Sequence, residues 1–156
     1  MTSSELKFDL PTRRSTQRLA QSIAPLLAES DLVILSGPLG SGKTFFVRAL
    51  CRALGLAATQ RVTSPTFTLV QEYDTAPLLT HADLYRLTGP EQLRELGLDA
   101  QRDEGRVLLV EWGEPYVEQL GGDALLLSFA LDPRRVVVSA TGRRSLAILA
   151  ELSAKG

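Results

Sequence analysis

The sequence predicts an α/β fold built in three layers, with helices on both faces of a central sheet. Apolar residues recur with a period of two in some segments and of 3.6 in others, and the two patterns alternate along the chain. Two compact apolar runs, 31–36 and 106–111, have the length and β-branched content of strands buried in a parallel sheet. The length of 156 residues, with 44% hydrophobic and 22% charged residues, predicts one globular domain, residues 1–156.

Four elements are expected in the first part of the chain. They are a strand over residues 6–10, a helix ending near Leu27, the buried strand over 31–36 and a helix from Lys43 to Leu54. Ser15 or Thr16 is the expected N-cap of the first helix, which Pro25 should kink or shorten. Gly55 occupies the C′ position that ends the second helix.

The remainder of the chain is expected to add five strands and two helices. The strands are predicted over 67–73, 78–84, 106–111, 124–131 and 135–140, with a turn at 74–77. One helix should open at Gly89 and Pro90 and continue through Leu98. A second helix, over residues 145–152, closes the chain.

Composition argues against several classes of protein. The formal net charge of −1 gives no electrostatic footprint for binding nucleic acid unaided. No segment approaches the roughly 20 apolar residues of a membrane span, and residues 1–9 lack the apolar run of a signal peptide. The single cysteine, Cys51, has no internal disulfide partner and is expected to be a small core thiol. These features favour a cytoplasmic location.

A glycine-rich motif lies between the buried strand 31–36 and the helix that follows it. Residues 37–44 read G-P-L-G-S-G-K-T, which matches the phosphate-binding pattern G-x-x-x-x-G-K-[ST] at every required position. Its glycines permit backbone angles that let successive N–H groups converge on a phosphate, and the helix N-terminus adds a positive dipole. The alternative is a glycine-rich turn that only caps a helix.

The last two residues of the motif carry its side-chain chemistry. Lys43 is expected to reach the β- and γ-phosphates of a nucleotide, and the Thr44 hydroxyl to ligate Mg²⁺. The other lysines, Lys7 and Lys155, lie near the two ends of the chain. The expected cofactors are ATP and Mg²⁺. The expected nucleotide-binding residues here are Gly37, Leu39, Gly40, Ser41, Gly42, Lys43, Thr44 and Phe45.

Two acidic residues are candidate partners for the metal. Glu111 ends the buried strand 106–111, where the acidic residue of a phosphate-loop protein is usually found. Asp83 ends another predicted strand and is the second acid within reach. Each has the alternative of being a carboxylate exposed to solvent.

Several further residues carry more than one interpretation. The hydroxyls of residues 63–67, Thr66 among them, could meet the metal or the γ-phosphate, or could form a Ser/Thr-rich turn. His81, the only histidine, is expected to be structural rather than catalytic. Trp112 either packs in the core or lines the nucleotide site or a partner surface. Tyr85 and Arg86 either lead into the following helix or contact a partner protein, and the sequence does not distinguish the two.

The motifs together resemble one family. Residues 37–44, the run S-P-T-F-T-L-V at 64–70, the run H-A-D-L-Y-R-L at 81–87 and V-E-W at 110–112 are similar in order and spacing to the TsaE family. The resemblance extends over roughly residues 8–150. The phosphate loop is common to many ATPases, whereas the other three segments are specific to this family. Departures are confined to Ala82 and Gly113, neither of which carries chemistry.

The resemblance implies a P-loop NTPase-like domain around a mainly parallel sheet with antiparallel additions. It also implies ATP hydrolysis in support of a complex that transfers a threonylcarbamoyl group to adenosine 37 of tRNAs reading codons that begin with adenosine. The family partners TsaB and TsaD make the transfer, so tRNA would be met only through the complex. By the same resemblance the metal residues are Thr44, Asp83 and Glu111, and the switch-like threonine is Thr66. Arg13 and Arg135 would flank the adenine by family analogy.

Three other functions compete with this interpretation. A small-molecule kinase would need an acceptor site and an arginine-bearing lid, for which only the pair Arg143 and Arg144 is suggestive. A GTPase needs an N-K-x-D motif, and the chain contains no asparagine. A non-catalytic module that senses ATP in a complex would share the same phosphate loop.

Overall fold

The computed structural model describes residues 5–63 and 69–155. Seven strands and five α-helices lie in these ranges, with short 3₁₀ turns at Ala24–Leu26 and Glu114–Tyr116. In chain order the elements are β1 Glu5–Asp9, α1 Arg13–Ile23, β2 Leu32–Ser36, α2 Lys43–Ala53, β3 Val70–Tyr73, β4 Leu79–Asp83, α3 Pro90–Glu95, α4 Leu98–Asp103, β5 Val107–Glu111, β6 Ala124–Ala130, β7 Arg135–Ala140 and α5 Arg143–Lys155.

The strands form one mixed sheet in the order β1-β7-β6-β2-β5-β4-β3. The four central strands, β6, β2, β5 and β4, run parallel to one another. The β1–β7, β6–β7 and β3–β4 pairs are antiparallel and lie toward the two edges. The expected parallel sheet is therefore the centre of the sheet, and the antiparallel additions account for its remaining pairings.

Alternate residues of the central strands pack into two separate cores. Val33, Leu35 and Leu109 belong to the larger core, which α1, α2 and α5 cover. Leu32 and Leu108 belong to the smaller core on the opposite face, which α3 and α4 cover. Because side chains alternate along a strand, this division places helices on both faces of the sheet and confirms the α/β prediction. Within the described ranges, no helix combines the length and apolar character that crossing a bilayer requires.

Three helix boundaries differ from the sequence-based expectation. Thr12, rather than Ser15 or Thr16, is the N-cap of α1, because Thr12 and Ser15 exchange side-chain hydrogen bonds with each other's backbone N–H at 3.1 Å. The helix expected after Pro90 is divided into α3 and α4 by Gly97, whose φ of +69° is left-handed. Helix α5 begins two residues earlier than expected, at Arg143.

Parallel pairing brings the carboxyl ends of three strands to one edge of the sheet. Leu35 of β2 is in register with Glu111 of β5, and Glu111 is in register with Asp83 of β4. The glycine-rich loop leaves β2 at this same edge and leads into α2. In open α/β sheets this edge is where ligands bind.

Candidate functional site

The loop between β2 and α2 follows a path that only glycine tolerates at its first position. Gly37, Gly40 and Gly42 have φ values of +135°, +81° and +103°. A Cβ on Gly37 would lie 2.6 Å from the carbonyl oxygen of Phe129 on the neighbouring strand β6. Gly42 is the N-cap of α2, so the loop delivers the chain directly to a helix N-terminus. Exposed N–H groups and the helix dipole make such a turn a fit for an anion.

Lys43 is held over this loop by two contacts. Its side chain is buried, and Nζ donates a hydrogen bond to the carbonyl oxygen of Gly37 at 2.6 Å. The same Nζ lies 4.5 Å from the centroid of the Trp112 ring. A carbonyl and an aromatic face stabilise the ammonium, and no carboxylate of the described residues forms an ion pair with it. The positive charge of Lys43 beside the loop is therefore available to an anion.

The hydroxyl of Ser41, also in the loop, lacks any partner within the described residues. The Oγ of Ser41 is buried and makes no hydrogen bond there, although the backbone N–H of Ser41 donates to the carbonyl oxygen of Pro38 at 3.1 Å. Buried hydroxyls in proteins are normally paired. An oxygen-rich ligand in the loop would give this hydroxyl its missing partner.

The two predicted acids lie side by side, each with a different environment. Glu111 is 4% exposed, and its Oε2 lies 2.7 Å from Nε2 of His81. Asp83 is half-buried, and its Oδ1 accepts a hydrogen bond from the backbone N–H of Tyr85 at 3.0 Å. The backbone N–H of Leu84 in turn donates to the carbonyl oxygen of Glu111 at 3.0 Å, which ties the two strand ends together.

Loop, acids and helix α1 enclose one cleft of about 300 Å³. Its lining comprises Leu10, Arg13, Thr16, Leu39, Gly40, Ser41, Gly42, Lys43, Thr44, Phe45, Asp83, Glu111, Trp112 and Arg134. The structure thus brings together every predicted site residue in the described ranges except Gly37 and Arg135. Gly37 reaches the cleft through its contact with Lys43, and the predicted Thr66 lies outside the described residues.

Arginines border the cleft on the side of α1 and β7. The guanidinium carbon of Arg13 lies 5.5 Å from the centroid of the Phe45 ring, at the start of α2. Arg134, rather than its predicted neighbour Arg135, lines the cleft, and its Nη2 donates to the carbonyl oxygen of Gly40 at 3.4 Å. Arg135 instead donates to the carbonyl oxygen of Pro133. Sequence reasoning missed Arg134 because it lies in the turn before β7, next to Arg135, and no motif chooses between the two arginines.

Beside this cleft lies a wider cavity of about 470 Å³ with an aromatic wall. Both cavities are lined by Leu39, Lys43, Asp83 and Trp112, while Leu69, Tyr85 and Arg86 line only the wider one. The rings of Tyr85 and Trp112 are 5.3 Å apart and tilted by 56°. Trp112 has a φ of +60°, which is unusual for a bulky residue, and its N–H donates to the carbonyl oxygen of Leu35. Trp112 therefore lines the site instead of packing in the core.

Cys51 and Tyr73, which have shifted pKa values, lie away from the cleft. Burial raises the pKa of the Cys51 thiol to about 12, as suits the core residue predicted from its helix. Burial also raises the pKa of Tyr73, whose hydroxyl donates to the side-chain oxygen of Gln71 at 2.6 Å. Neither group has the activated character of a nucleophile.

The donor set of the cleft fits magnesium better than a softer metal. The Thr44 hydroxyl and the carboxylates of Asp83 and Glu111 are hard oxygen donors that face one space. In the described part of the chain, no group of three or more His, Cys, Asp or Glu residues is placed to hold a metal by itself. Mg²⁺ commonly takes one or two carboxylates and completes its shell with water and phosphate oxygens, so two acids suffice.

Comparison with known proteins identifies the relatives of this chain. A family model described as "Threonylcarbamoyl adenosine biosynthesis protein TsaE" matches residues 10–137. The tRNA threonylcarbamoyladenosine biosynthesis protein TsaE of Streptomyces coelicolor is 39% identical, over 82% of this chain and 92% of the relative. The protein of the same name from Bacillus subtilis is 34% identical, over 96% of this chain and 94% of the relative.

A solved structure supports the same grouping. The crystal structure of Bacillus subtilis YdiB superposes with a TM-score of 0.81 at 30% sequence identity, covering 99% of this chain and 98% of that one. The family model and the relatives extend over most of the sequence, the family model from residue 10, before α1, to residue 137 in β7. The chain therefore belongs to the TsaE family.

Proposed function

We propose that this protein is a P-loop NTPase-like enzyme that binds ATP with Mg²⁺ and hydrolyses it during threonylcarbamoyl modification of tRNA. The observation that carries the proposal is the single cleft in which the glycine-rich loop, Lys43, Asp83 and Glu111 meet. The names of its relatives supply the pathway. In this proposal the modified base is adenosine 37 of tRNAs reading codons that begin with adenosine.

The chain's own residues divide the work as follows. The backbone N–H groups of the glycine-rich loop and the ammonium of Lys43 hold the phosphates, because both present positive charge, and no acidic side chain in the described ranges forms an ion pair with Lys43. Thr44, Asp83 and Glu111 would hold Mg²⁺. The ion, when bound, spreads the charge that develops on the phosphate oxygens. Thr66 is the switch-like threonine by family analogy, with a hydroxyl for either the metal or the γ-phosphate.

The proposal gives the transfer chemistry to partners. TsaB and TsaD carry it out in the proposed complex, and the net charge of −1 suits a subunit that meets tRNA only indirectly. A complex that modifies tRNA places the chain in the cytoplasm. Adenine nucleotides should bind better than guanine nucleotides, since the chain has no asparagine for a guanine-reading N-K-x-D motif.

A reconstituted modification assay tests the proposal. Purified TsaB, TsaD, tRNA and the threonylcarbamoyl donor are combined with ATP and Mg²⁺, with this chain present or omitted. The wild-type chain should sustain repeated rounds of modification and release phosphate, whereas Glu111→Gln should do neither. Full modification without the chain, or full activity of Glu111→Gln, would contradict the proposal.

Two alternatives remain distinct in that assay. A small-molecule kinase would use an arginine-bearing lid, but Arg144 is bound through Nε to Oδ1 of Asp31 at 3.0 Å and through Nη2 to the carbonyl oxygen of Leu26 at 2.7 Å. This commitment to the body of the fold disfavours a lid role. Phosphorylation of a metabolite instead of release of phosphate would favour the kinase. A non-catalytic ATP sensor would bind the nucleotide and support modification without turnover.

A further inference from the structure

His81 is the one histidine of the chain, and its imidazole is buried against a predicted metal ligand. The residue is 1% exposed, and its Nε2 lies 2.7 Å from Oε2 of Glu111. His81 lies on β4 in register with Leu109 of β5, two residues before the Asp83–Glu111 pair. Side chains two residues apart share a strand face, so His81, Asp83 and Glu111 project on the same side of the sheet.

The contact joins the imidazole of His81 to one oxygen of Glu111. An ionised carboxylate oxygen only accepts hydrogen bonds, so toward an ionised Glu111 the 2.7 Å contact is made by Nε2–H donating to Oε2. In the described part of the chain, Nδ1 of His81 is buried and has no partner. Among the described residues, the hydrogen bond to Glu111 is therefore the polar contact through which the imidazole can act.

The carboxylate of Glu111 is used asymmetrically. Oε2 is held by His81, whereas Oε1 has no hydrogen-bond partner among residues 5–63 and 69–155. Glu111 itself lines the cleft. One oxygen is thus held by His81, and the other belongs to a carboxylate that borders the space shared by Lys43, Thr44 and Asp83.

We infer that His81 is a positioning residue, which holds Glu111 so that Oε1 faces the divalent cation of the cleft. This inference rests on the proposed function, because it presumes that Glu111 serves Mg²⁺. A glutamate has three rotatable side-chain bonds, and a single buried donor restricts them to one arrangement. Loss of the Nε2 donor frees the carboxylate to leave the cation without disturbing the phosphate loop.

Variants that place a donor at different distances test this role. The amide nitrogen of His81→Gln lies near the position of Nε2, whereas the shorter amide of His81→Asn lies near that of Nδ1 and falls short of Glu111. His81→Leu fills a similar volume with no donor and serves if the Asn variant melts below the assay temperature. The quantity measured is the ratio of dissociation constants for a slowly hydrolysed ATP analogue in EDTA and in excess Mg²⁺, obtained by titration calorimetry.

This ratio is the magnesium gain, the factor by which Mg²⁺ tightens binding of the analogue. We expect His81→Asn and His81→Leu to reduce the magnesium gain by roughly 10- to 100-fold while the affinity in EDTA stays at the wild-type value. His81→Gln should retain the gain. In a Glu111→Gln background, His81→Asn should cause no further loss, since its effect passes through the carboxylate. A role confined to packing would lower the melting temperature without changing the ratio.

The outcomes separate this inference from the proposed function. A folded His81→Asn or His81→Leu variant with the wild-type magnesium gain overturns the inference alone, as does a His81→Gln variant that behaves like His81→Asn. An additional loss in the Glu111→Gln background also overturns it. A wild-type chain that fails to bind the analogue, or binds it without any magnesium gain, overturns the proposed function and this inference with it.

Discussion

At the scale of single residues, the most informative side chain is that of Lys43. Its ammonium is 2.6 Å from the carbonyl oxygen of Gly37 and 4.5 Å from the centre of the Trp112 ring, and no carboxylate among residues 5–63 and 69–155 forms an ion pair with it. A buried cation with only dipolar partners costs stability unless an anion arrives. The arrangement is that of a binding site whose ligand supplies the missing negative charge.

Replacing Lys43 with alanine should therefore remove binding without unfolding the protein. A hydrogen bond to a charged group contributes about 1.5–3 kcal/mol, so the affinity for an ATP analogue should fall by at least about tenfold. Titration calorimetry measures the affinity, and thermal unfolding checks the fold. Lys7→Ala is the matched control, because Lys7 is exposed on β1 far along the chain from the loop. Wild-type affinity in a folded Lys43→Ala variant would refute the assignment.

Two glycines of the same loop should differ in their tolerance of a side chain. Gly37 combines a φ of +135° with a site where a Cβ would lie 2.6 Å from the carbonyl oxygen of Phe129. Gly40 has a φ of +81° and nothing within 4 Å of a built Cβ. Gly40→Ala should cost roughly 1–2 kcal/mol from backbone strain alone, and Gly37→Ala should cost more. Urea unfolding of both variants measures this, and equal losses would mean that the contact with β6 is unimportant.

The sequence predicted the chemistry of these residues better than it predicted which residues contact them. Positions in the motif follow local rules of backbone geometry, so Gly37, Lys43 and Thr44 could be assigned from spacing. The contact between His81 and Glu111 and the ring beneath Lys43 arise between residues about 30 and 70 positions apart. Only strand register decides such meetings. His81 and Asp83 alternate along one predicted strand, which was the available hint that they share a face.

At the scale of elements, interior patterns were predictive and boundaries were not. All seven strands were expected, and the central ones were the clearest, because buried runs such as 107–110 are apolar throughout. The start of α1 was wrong because Thr12, Ser15 and Thr16 are all good N-caps, and only the reciprocal bonds between Thr12 and Ser15 select among them. The break at Gly97 was missed because leucines continue with helical spacing across it.

The N-terminus of α5 depends on a carboxylate from a different element. Asp123, just before β6, accepts hydrogen bonds from the backbone N–H groups of Arg144 at 2.8 Å and Ser145 at 2.9 Å. Burial alone would raise the pKa of Asp123, but the hydrogen bonds from Ser145 and Arg144 outweigh it and lower the pKa below its ordinary value. A depressed folded-state pKa means that this group stabilises the fold when ionised.

Removing this cap should therefore have a pH-dependent cost. Asp123→Asn keeps one acceptor oxygen but loses the negative charge, which contributes about 0.3–1 kcal/mol near a helix N-terminus, so the variant should be less stable by about that amount at neutral pH. The stabilisation is fully present above the unfolded pKa of about 3.9 and is lost as the pH falls through the lower folded pKa, so the two proteins should converge in acid. Urea unfolding across this range provides the test, with Asp9→Asn on β1 as control. A difference that stays constant with pH would exclude the carboxylate as its source.

At the scale of the whole molecule, the fold assembles the proposed nucleotide site from distant parts of the chain. Three parallel strand ends bring residues from loop 37–44, β4 and β5 into one cleft, and the turn before β7 contributes Arg134. Strands of a parallel sheet are buried on both faces and appear in the sequence as continuous apolar runs, which is why the α/β class was evident in the sequence. The antiparallel strand pairs near the sheet edges and the position of Arg134 in the cleft depend on long-range strand pairing, which no local sequence pattern specifies.

The site's remaining deficiency concerns the transition state. Phosphoryl transfer is accelerated by positioned positive charge, often an arginine. Arg134 is engaged with the carbonyl oxygen of Gly40, whereas Arg86 is exposed, lines the wider cavity with Asp83 and Trp112, and makes no hydrogen bond within the described ranges. Arg86 is thus the available internal arginine, and no described neighbour fixes its guanidinium.

We therefore expect the isolated chain to hydrolyse ATP slowly and a TsaB–TsaD mixture to raise the rate at least about tenfold. A partner surface could order Arg86 over the cleft or supply a charge of its own, and either change lowers the barrier by about 1.4 kcal/mol for each factor of ten. Steady-state phosphate release is compared for the chain alone and with partners, with Glu111→Gln as the inactive control. Arg86→Ala distinguishes the two routes, with Arg94→Ala on α3 as its exposed control. If Arg86 is the stabilising group, its removal abolishes the stimulation while Arg94→Ala retains it. If the chain alone turns over as fast as the assembled mixture, partner activation is wrong and the site is complete within this chain.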